Sequence, residues 1–343
     1  MGRKNSKTVW QKKNSKMVWR KKEPSPLPAP WTELPLDIAA NILKRLDVVD
    51  ILEAAQRVCT TWRSVCKDPS MWQKIDMSKH TGYEDFDSEI MCKHLVDRSQ
   101  GQLVDVRVGF FGTDDLLAHI AERSGQLRCL LLASCCAITG YGLTEAVKRF
   151  PLLEELHLFS ADVPSESIEI VGRSCPLLKS FSFGGVAPFP DKKDFRVREL
   201  ECNNEALSIA KTMPRLQYLD LFGNALTNDG LVAILDGCTH LETLDLRRCF
   251  GVNLEGNIGK QCTQQLKCLR LPDDSVEDHE YYDRDCFDDY GFGWSGSDGS
   301  DFDEDHYLDY EDYDDYSLWA AMNSDYEDFF LGGLVIDDHN DIY

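Results

Sequence analysis

The chain has 343 residues, of which 43% are hydrophobic, and a formal net charge of −22. This length and composition leave room for two folded domains with a real core. No stretch of 18 or more apolar residues occurs, so a membrane span is not expected. The basic N-terminus lacks the apolar segment of a secretory signal. The 13 cysteines form no paired CxxC motifs, which favours a reducing compartment, the nucleus or the cytoplasm.

Charge divides the chain into unlike parts. Residues 273–343 hold 25 acidic residues and one basic residue, a net charge of −24 that leaves residues 1–272 close to neutral. Residues 1–22 hold nine basic residues and no acidic one. The sequence predicts a basic arm with a Pro-rich linker, a helical module, a repeat region and an acidic low-complexity tail, at residues 1–30, 31–77, 78–272 and 273–343. The arm with its linker and the self-repelling tail are predicted to be disordered.

Residues 31–72 carry apolar residues at helical spacing. Pro35 suits the first turn of a helix, where no amide donor is needed, and Asp47 suits an N-cap. The apolar residues form two stripes, made of Ile38, Ile42, Leu43 and Leu46, and of Ile51, Ala55, Val58, Cys59 and Trp62. Helices this short cannot bury both stripes among themselves, so an apolar face should be left for a partner. On periodicity alone, a plain helical hairpin packed on the next domain remains an alternative.

The same stretch resembles the F-box family. The residues that carry the resemblance, in order, are Leu34-Pro35, Ile38, Ile42-Leu43, Arg45-Leu46, Leu52, Arg57-Val58-Cys59, Trp62-Arg63 and Asp68-Pro69-Ser70-Met71-Trp72. The resemblance implies a three-helix module that docks the Skp adaptor of an SCF-type ubiquitin ligase, and through it a cullin-based ligase. It carries an adaptor-binding role to Leu34, Pro35, Ile38, Leu43, Leu46, Leu52, Val58 and Trp62. Some of these eight must be internal core residues, and the sequence does not sort them.

Leucines repeat through the next region in the pattern Leu-x-x-Leu-x-Leu-x-x-Asn/Cys-x-Leu. The best copy is Leu216–Leu226, and the others begin at Leu103, Leu127, Leu153, Leu178, Val197, Leu241 and Leu266. Most copies lie 24 to 26 residues apart, with two intervals of 19 on either side of Val197. This periodicity predicts an α/β repeat fold, an eight-copy leucine-rich-repeat solenoid behind the module, with a distorted or helix-poor repeat around residues 184–205. The region resembles the leucine-rich repeats of plant F-box/LRR proteins.

The strands of such a solenoid define a surface that can bind a target. Between the core leucines, alternate residues face the concave side. The predicted substrate-binding candidates are Glu155, His157, Phe159, Glu199, Glu201, Tyr218, Asp220, Phe222, Asp245 and Arg247. Carboxylates interleaved with aromatic rings suit a basic, partly apolar partner. The alternative is that these are ordinary solvated strand residues.

The sequence gives no sign of catalysis or of a cofactor. It contains none of the phosphate-binding, dinucleotide-binding, zinc-protease or serine-hydrolase motifs. Cys135 and Cys249 occupy the Asn/Cys position of the repeat, and Cys175 and Cys238 precede repeat leucines, so a structural role is predicted for them rather than metal binding. The acidic string 301–306 resembles a calcium loop but has His306 where glycine is needed. No metal, cofactor or catalytic residue is therefore predicted.

These features predict a substrate-recognition subunit of an SCF-type E3 ubiquitin ligase, which is not itself an enzyme. The F-box would dock the Skp adaptor, and the repeats would hold a protein target that the sequence does not name. The alternative is a non-catalytic scaffold or acidic chaperone that binds basic proteins through residues 273–343. Neither a membrane nor a nucleic acid is expected as a partner, and the expected location is the nucleus, the cytoplasm or both.

Overall fold

The computed structural model describes residues 34–79, 85–159, 163–184 and 202–279. The basic arm and linker, the copy predicted at Val197 and the acidic string at 301–306 lie outside these residues, as does the tail beyond residue 279. No helix in the described ranges has the length and apolar character needed to cross a bilayer.

Three short helices make up the N-terminal module: α1 (Leu36–Leu43), α2 (Val48–Glu53) and α3 (Thr60–Cys66). Pro35 is the N-cap of α1, one residue earlier than a first-turn position, with an extended backbone. Asp47 caps α2 as predicted, because its carboxylate accepts a hydrogen bond from Val49 N at 2.9 Å. Cys59 caps α3, and its sulfur accepts from Trp62 N at 3.4 Å. The caps of α2 and α3 therefore supply acceptors for amides in the first turn of each helix, whereas Pro35 before α1 has no amide hydrogen to satisfy.

The rest of the described chain is one stack of strand–helix repeats. Eight parallel strands lie in sequence order: β1 (Lys74–Met77), β2 (Asp105–Gly109), β3 (Cys129–Ala133), β4 (Glu155–Phe159), β5 (Ser180–Gly184), β6 (Tyr218–Asp220), β7 (Thr243–Asp245) and β8 (Cys268–Arg270). The helices are α4 (Asp85–Arg98), α5 (Asp114–Arg123), α6 (Gly140–Val147), α7 (Ser165–Ser174), α8 (Asn204–Thr212), α9 (Asn228–Gly237) and α10 (Asn257–Gln265). This is the predicted α/β solenoid behind a three-helix module.

The core is a ladder of repeat leucines held in register by the sheet. One row of it runs Val106, Leu130, Leu156, Phe181, Leu219 and Leu244, each fully buried. Burying a side chain of this size contributes about 1.5–3 kcal/mol. A single repeat has no second face against which to bury its row, so each repeat is stabilised by its neighbours.

The described residues form eight strands, as many as the predicted repeats, but one of the eight does not lie at a predicted copy. β5 pairs directly with β6, Ser180 beside Tyr218, so the sheet has no place between them for the copy predicted at Val197. The eighth strand is instead β1, which precedes the first predicted copy at Leu103. Splitting the β5–β6 interval into two equal shortened repeats was therefore wrong.

Polar side chains tie successive helix starts together. Asp114 accepts a hydrogen bond from Thr139 N at 2.8 Å, and Asn228 accepts one from Asn253 N at 2.8 Å. Asn203 accepts from Thr227 N at 2.9 Å in the same way. These bonds satisfy amides at the turns that lead into the next helix, which helps to fix the stacking of the repeats.

The first repeat joins the module through Trp72. Its indole Nε1 donates to Cys66 O at 2.8 Å, and the Arg98 guanidinium lies 5.9 Å from the ring centre. Trp72 is almost fully buried, and the module and the repeats share one continuous apolar core. The repeats therefore form a direct continuation of the module.

A half-buried histidine on α4 should make the fold sensitive to acid. Burial lowers the pKa of His94 from its ordinary 6.5 to about 4. Below pH 6.5 the unfolded chain binds a proton that the folded chain does not, so stability falls between pH 6.5 and about 4. We expect the melting temperature to fall across this window, and to fall less in His94→Gln, which has no proton to bind. A pH series of thermal melts checks this, and equal falls in both proteins would contradict it.

Candidate functional site

The N-terminal module leaves large apolar side chains in solvent. Leu36 is 59% exposed, Ile38 43%, Leu46 39% and Val58 55%. Pro35 is exposed as well. Scattered exposed apolar residues are normal, but half of the large ones in the described part of the chain fall within this short stretch. We call Pro35, Leu36, Ile38, Leu46 and Val58 the exposed apolar set.

The eight residues with a predicted adaptor-binding role separate into three groups. Pro35, Ile38, Leu46 and Val58 belong to the exposed apolar set. Leu34 and Trp62 are half-buried and pack against the core. Leu43 and Leu52 are buried, so they support the module from inside and present no surface to a partner.

Leu36 was missed by the sequence reasoning. Six of the eight residues of α1 are apolar, which is more than one helix face can bury. Comparing the number of apolar residues in α1 with the number that one helix face can bury would have indicated that some of them are exposed. Helical spacing places Leu36 on the same face as the buried Leu43, seven residues on, so periodicity alone does not mark it as exposed.

The sheet register brings the predicted concave residues onto one surface. Its middle row runs Arg107, Leu131, His157, Ser182, Asp220, Asp245 and Arg270 across β2 to β8. Glu155 and Tyr218 lie two residues before this row on their strands, and Phe159, Phe222 and Arg247 lie two residues after it. Glu199 and Glu201 lie outside the described residues. The concave surface is therefore assembled from residues that are far apart in sequence.

Much of this surface is buried. Phe159, Asp220, Phe222, Asp245 and Arg247 are all buried, while Glu155 is exposed. The cover includes residues 271–279, which we call the strap. Arg248 N donates to Pro272 O at 2.9 Å, which places the start of the strap beside the end of β7. Sequence reasoning had expected solvated strand residues or an open binding surface.

An ion-pair network holds the strap to β7 and β8. The Arg247 guanidinium binds Asp245 through Nε and Nη2, with Nη2 2.7 Å from Oδ2. Its Nη1 donates to Ser275 O at 2.9 Å and to the Asp278 carboxylate. Arg270 Nη2 donates to the other Asp278 oxygen at 2.7 Å. The hydrogen bond from Arg247 holds the pKa of Asp278 below its ordinary value.

The end of the strap places an imidazole over two aromatic rings. His279 Nε2 lies 3.2 Å from Asp220 Oδ2, and both side chains are almost fully buried. The His279 ring centre is 4.2 Å from that of Phe222 and 5.7 Å from that of Phe159, which it meets edge-on. Because an ionised carboxylate only accepts, the imidazole donates through Nε2.

One group of side chains on the concave surface has the chemistry of metal ligands. The ligand atoms of Cys129, Glu155 and His157 lie within 4.8 Å of one another. Burial raises the pKa of Cys129 and lowers that of His157, so both are neutral near pH 7. His157 Nδ1 is hydrogen-bonded to Ser182 Oγ at 2.8 Å, which leaves Nε2 facing Glu155. Thiolate and imidazole ligands suit zinc, but this thiol must first lose its proton.

The repeat cysteines act as weak hydrogen-bond donors inside the stack. Cys249 Sγ donates to Leu221 O at 3.0 Å, and Cys238 Sγ donates to Met213 O at 3.5 Å. Cys135 and Cys175 reach carbonyls of the preceding repeat in the same way. Burial raises the pKa of Cys135 to about 11 and those of the other three to about 12. All four cysteines are buried in the stack, as the predicted structural role requires.

Comparison with known proteins agrees with this architecture. Residues 31–78 match the F-box-like family and residues 213–235 match the Leucine Rich repeat family. F-box protein SKIP19 of Arabidopsis thaliana is 45% identical over 301 residues, which cover 87% of this chain and 93% of that protein. The chain belongs to the plant F-box/LRR family.

A second relative of this F-box/LRR protein is the putative F-box/LRR-repeat protein 21 of Arabidopsis thaliana. It is 44% identical over 260 residues, which cover 73% of this chain and 84% of the relative. Among solved structures, "Crystal structure of Rad7 and Elc1 complex in yeast" aligns with a TM-score of 0.40 and 12% identity, over 68% of this chain and 64% of that chain.

Family membership fixes the general role of this F-box/LRR protein. It is a protein-binding substrate receptor of the SCF ubiquitin ligase type. Members of this family are typically non-catalytic receptors, and the matches indicate no enzyme family. The F-box implies, in general terms, an adaptor and cullin as partners.

Proposed function

We propose that this protein docks the Skp adaptor through the exposed apolar set, joins a cullin-based ligase through that adaptor, and presents a protein target on the concave surface. The observation that carries the docking step is the exposure of large apolar side chains on a module whose other apolar residues already pack in the core that it shares with the repeats. The target would receive ubiquitin from an enzyme elsewhere in the complex. The free cysteines of the described chain suit the nucleus or the cytoplasm as its location.

The size of the docking contribution supports this assignment. Full burial of one such side chain contributes about 1.5–3 kcal/mol, so burying the exposed half of four contributes about 3–6 kcal/mol. A micromolar complex needs about 8 kcal/mol. Because association also costs translational and rotational freedom, the exposed apolar set supplies only part of the gross contribution that a stable interface needs, and half-buried residues such as Leu34 and Trp62 would add to it.

Co-purification tests the proposal against the scaffold or acidic chaperone alternative. The full chain and a chain ending at His279 are each co-expressed with the Skp adaptor. We expect both to retain the adaptor, because the truncation removes most of the acidic tail and leaves the module and the strap intact. The alternative predicts that truncation abolishes binding to basic proteins such as histones, and it predicts no adaptor binding. A folded full chain that fails to retain the adaptor would contradict the proposal.

A further inference from the structure

The concave surface holds two adjacent subsites of different chemistry. The first is cationic: Arg247 and Arg270 each bind one oxygen of the Asp278 carboxylate. Arg247 is itself fixed by Asp245, so its remaining Nη1 is aimed at the strap. Such pre-oriented, charge-assisted donors favour a carboxylate over a neutral side chain.

The second subsite takes a ring that carries an N–H donor. Phe159 and Phe222 supply its apolar walls, and Asp220 supplies a buried carboxylate. Asp220 Oδ1 already accepts from Phe222 N at 2.9 Å, while Oδ2 accepts from His279. If the ring left, Oδ2 would lose this donor and open to water, because the strap is part of what covers it. An imidazole fits both the aromatic walls and the carboxylate of this subsite.

The two subsites lie side by side on the sheet, and their occupants are consecutive residues. Asp278 binds arginines on or directly after β7 and β8, and His279 binds Asp220 on β6. Neighbouring strands are about 4.8 Å apart and neighbouring Cα atoms 3.8 Å apart. A peptide that crosses the strands therefore places one side chain in each subsite.

The strap fills this surface incompletely. A cavity of about 480 Å³ lies beside Asp278 and His279, and its walls include Arg107, His157, Ser182 and Tyr218. The Nδ1 atom of His279 is buried and has no hydrogen-bond partner among the described residues. Asp278 is about half exposed, so its ion pairs are partly screened by water. An occupant held in this way can be displaced by a peptide that makes more contacts.

We propose that the concave surface around Arg247 and Asp220 recognises a target peptide in which an acidic residue is followed by histidine, and that the strap is an internal competitor for this site. The inference rests on the proposed function, in which the concave surface presents the target. Asp278-His279 would then be this chain's own copy of the recognised pair. A target must exclude the strap before it can bind, which sets a threshold for its affinity.

The test measures binding of a fluorescent peptide with the sequence of residues 272–279 to the full chain. In wild type the attached strap competes, so binding should be weak. In the Asp278→Ala/His279→Ala chain the site is vacated, and we expect binding at least roughly tenfold tighter. Adding Arg270→Ala to that chain should weaken binding again, because the carboxylate loses one of its two arginines.

Matched controls separate recognition from general charge effects. A chain with Asp273→Ala/Glu277→Ala loses two exposed strap carboxylates and should bind the peptide as weakly as wild type. A peptide with both Asp278 and His279 replaced by alanine should not bind, and one with Asp273 and Glu277 replaced should bind normally. Equal affinity for wild type and the vacated chain, or binding of the peptide that lacks Asp278 and His279, would overturn the inference.

The same preparations keep this inference separate from the proposed function. Each chain is also tested for retention of the Skp adaptor, which depends on the module and not on the strap. If the adaptor is retained and the peptide fails, the target-reading inference is wrong and the receptor proposal stands. If the peptide binds as expected and the adaptor is not retained, the docking proposal fails alone. A thermal melt of each chain reports that the vacated chain is folded.

Discussion

Replacing Ile38 and Val58 together by aspartate is expected to weaken adaptor binding at least roughly a hundredfold, about 2.7 kcal/mol. Both side chains are substantially exposed in the free chain, so the change should leave the fold intact. In the proposed complex the two carboxylates would be buried against an apolar surface without partners, which is strongly unfavourable. Isothermal titration of the purified adaptor into each chain gives the affinity.

Leu207 and Tyr141 offer matched controls for this experiment. Both are exposed apolar residues, on α8 and α6 of the solenoid, well separated in sequence from the module. The Leu207→Asp/Tyr141→Asp chain adds the same two charges and should bind the adaptor as wild type does. Undiminished binding by the Ile38→Asp/Val58→Asp chain would refute docking through the exposed apolar set, and equal loss in the control chain would show a non-specific charge effect.

Trp72→Ala should destabilise the chain by about 3–5 kcal/mol, because it leaves a large cavity where the module meets the first repeat. The indole is almost fully buried and its Nε1 donates to Cys66 O. Trp72→Phe keeps most of the apolar volume but removes the donor, and should cost about 1–3 kcal/mol for the smaller ring and the unpaired carbonyl. Urea unfolding followed by far-ultraviolet circular dichroism measures both.

Phe250 provides the reference for the tryptophan series. It is an exposed aromatic residue, so Phe250→Ala should change stability by no more than about 0.5 kcal/mol. A loss below about 1 kcal/mol for Trp72→Ala would mean that the joint is not a shared core. We expect the N-terminal module and the first repeats to weaken together in that variant, since one apolar cluster runs through both.

The sequence predicted the repeats well where one local rule decides the structure. β2 to β8 all lie at predicted copies, because each leucine pattern fixes which side chains enter the core. β1 was missed because Lys74–Met77 follows Trp72 without the leucine signature. The copy predicted at Val197 lies outside the described residues, and the direct pairing of β5 with β6 leaves it no position between them in the sheet.

The candidate site was harder to predict because it depends on contacts between distant residues. His279 meets Asp220 across 59 positions, and no local pattern indicates that the chain turns back after β8. For the same reason, Asp245 and Arg247 were predicted to lie on the substrate-binding surface, although they form a buried ion pair. Leu43 and Leu52 were not separable from Ile38, since helical periodicity identifies an apolar face but not its neighbour.

The repeat cysteines have a practical consequence for studying this fold. Cys135, Cys175, Cys238 and Cys249 lie in successive parts of the stack, each with a buried thiol whose raised pKa keeps it protonated and unreactive. A thiol of this kind meets an alkylating reagent only when its own repeat opens. Labelling rates resolved by mass spectrometry would therefore report the opening free energy at four points along the native solenoid, without introducing any probe.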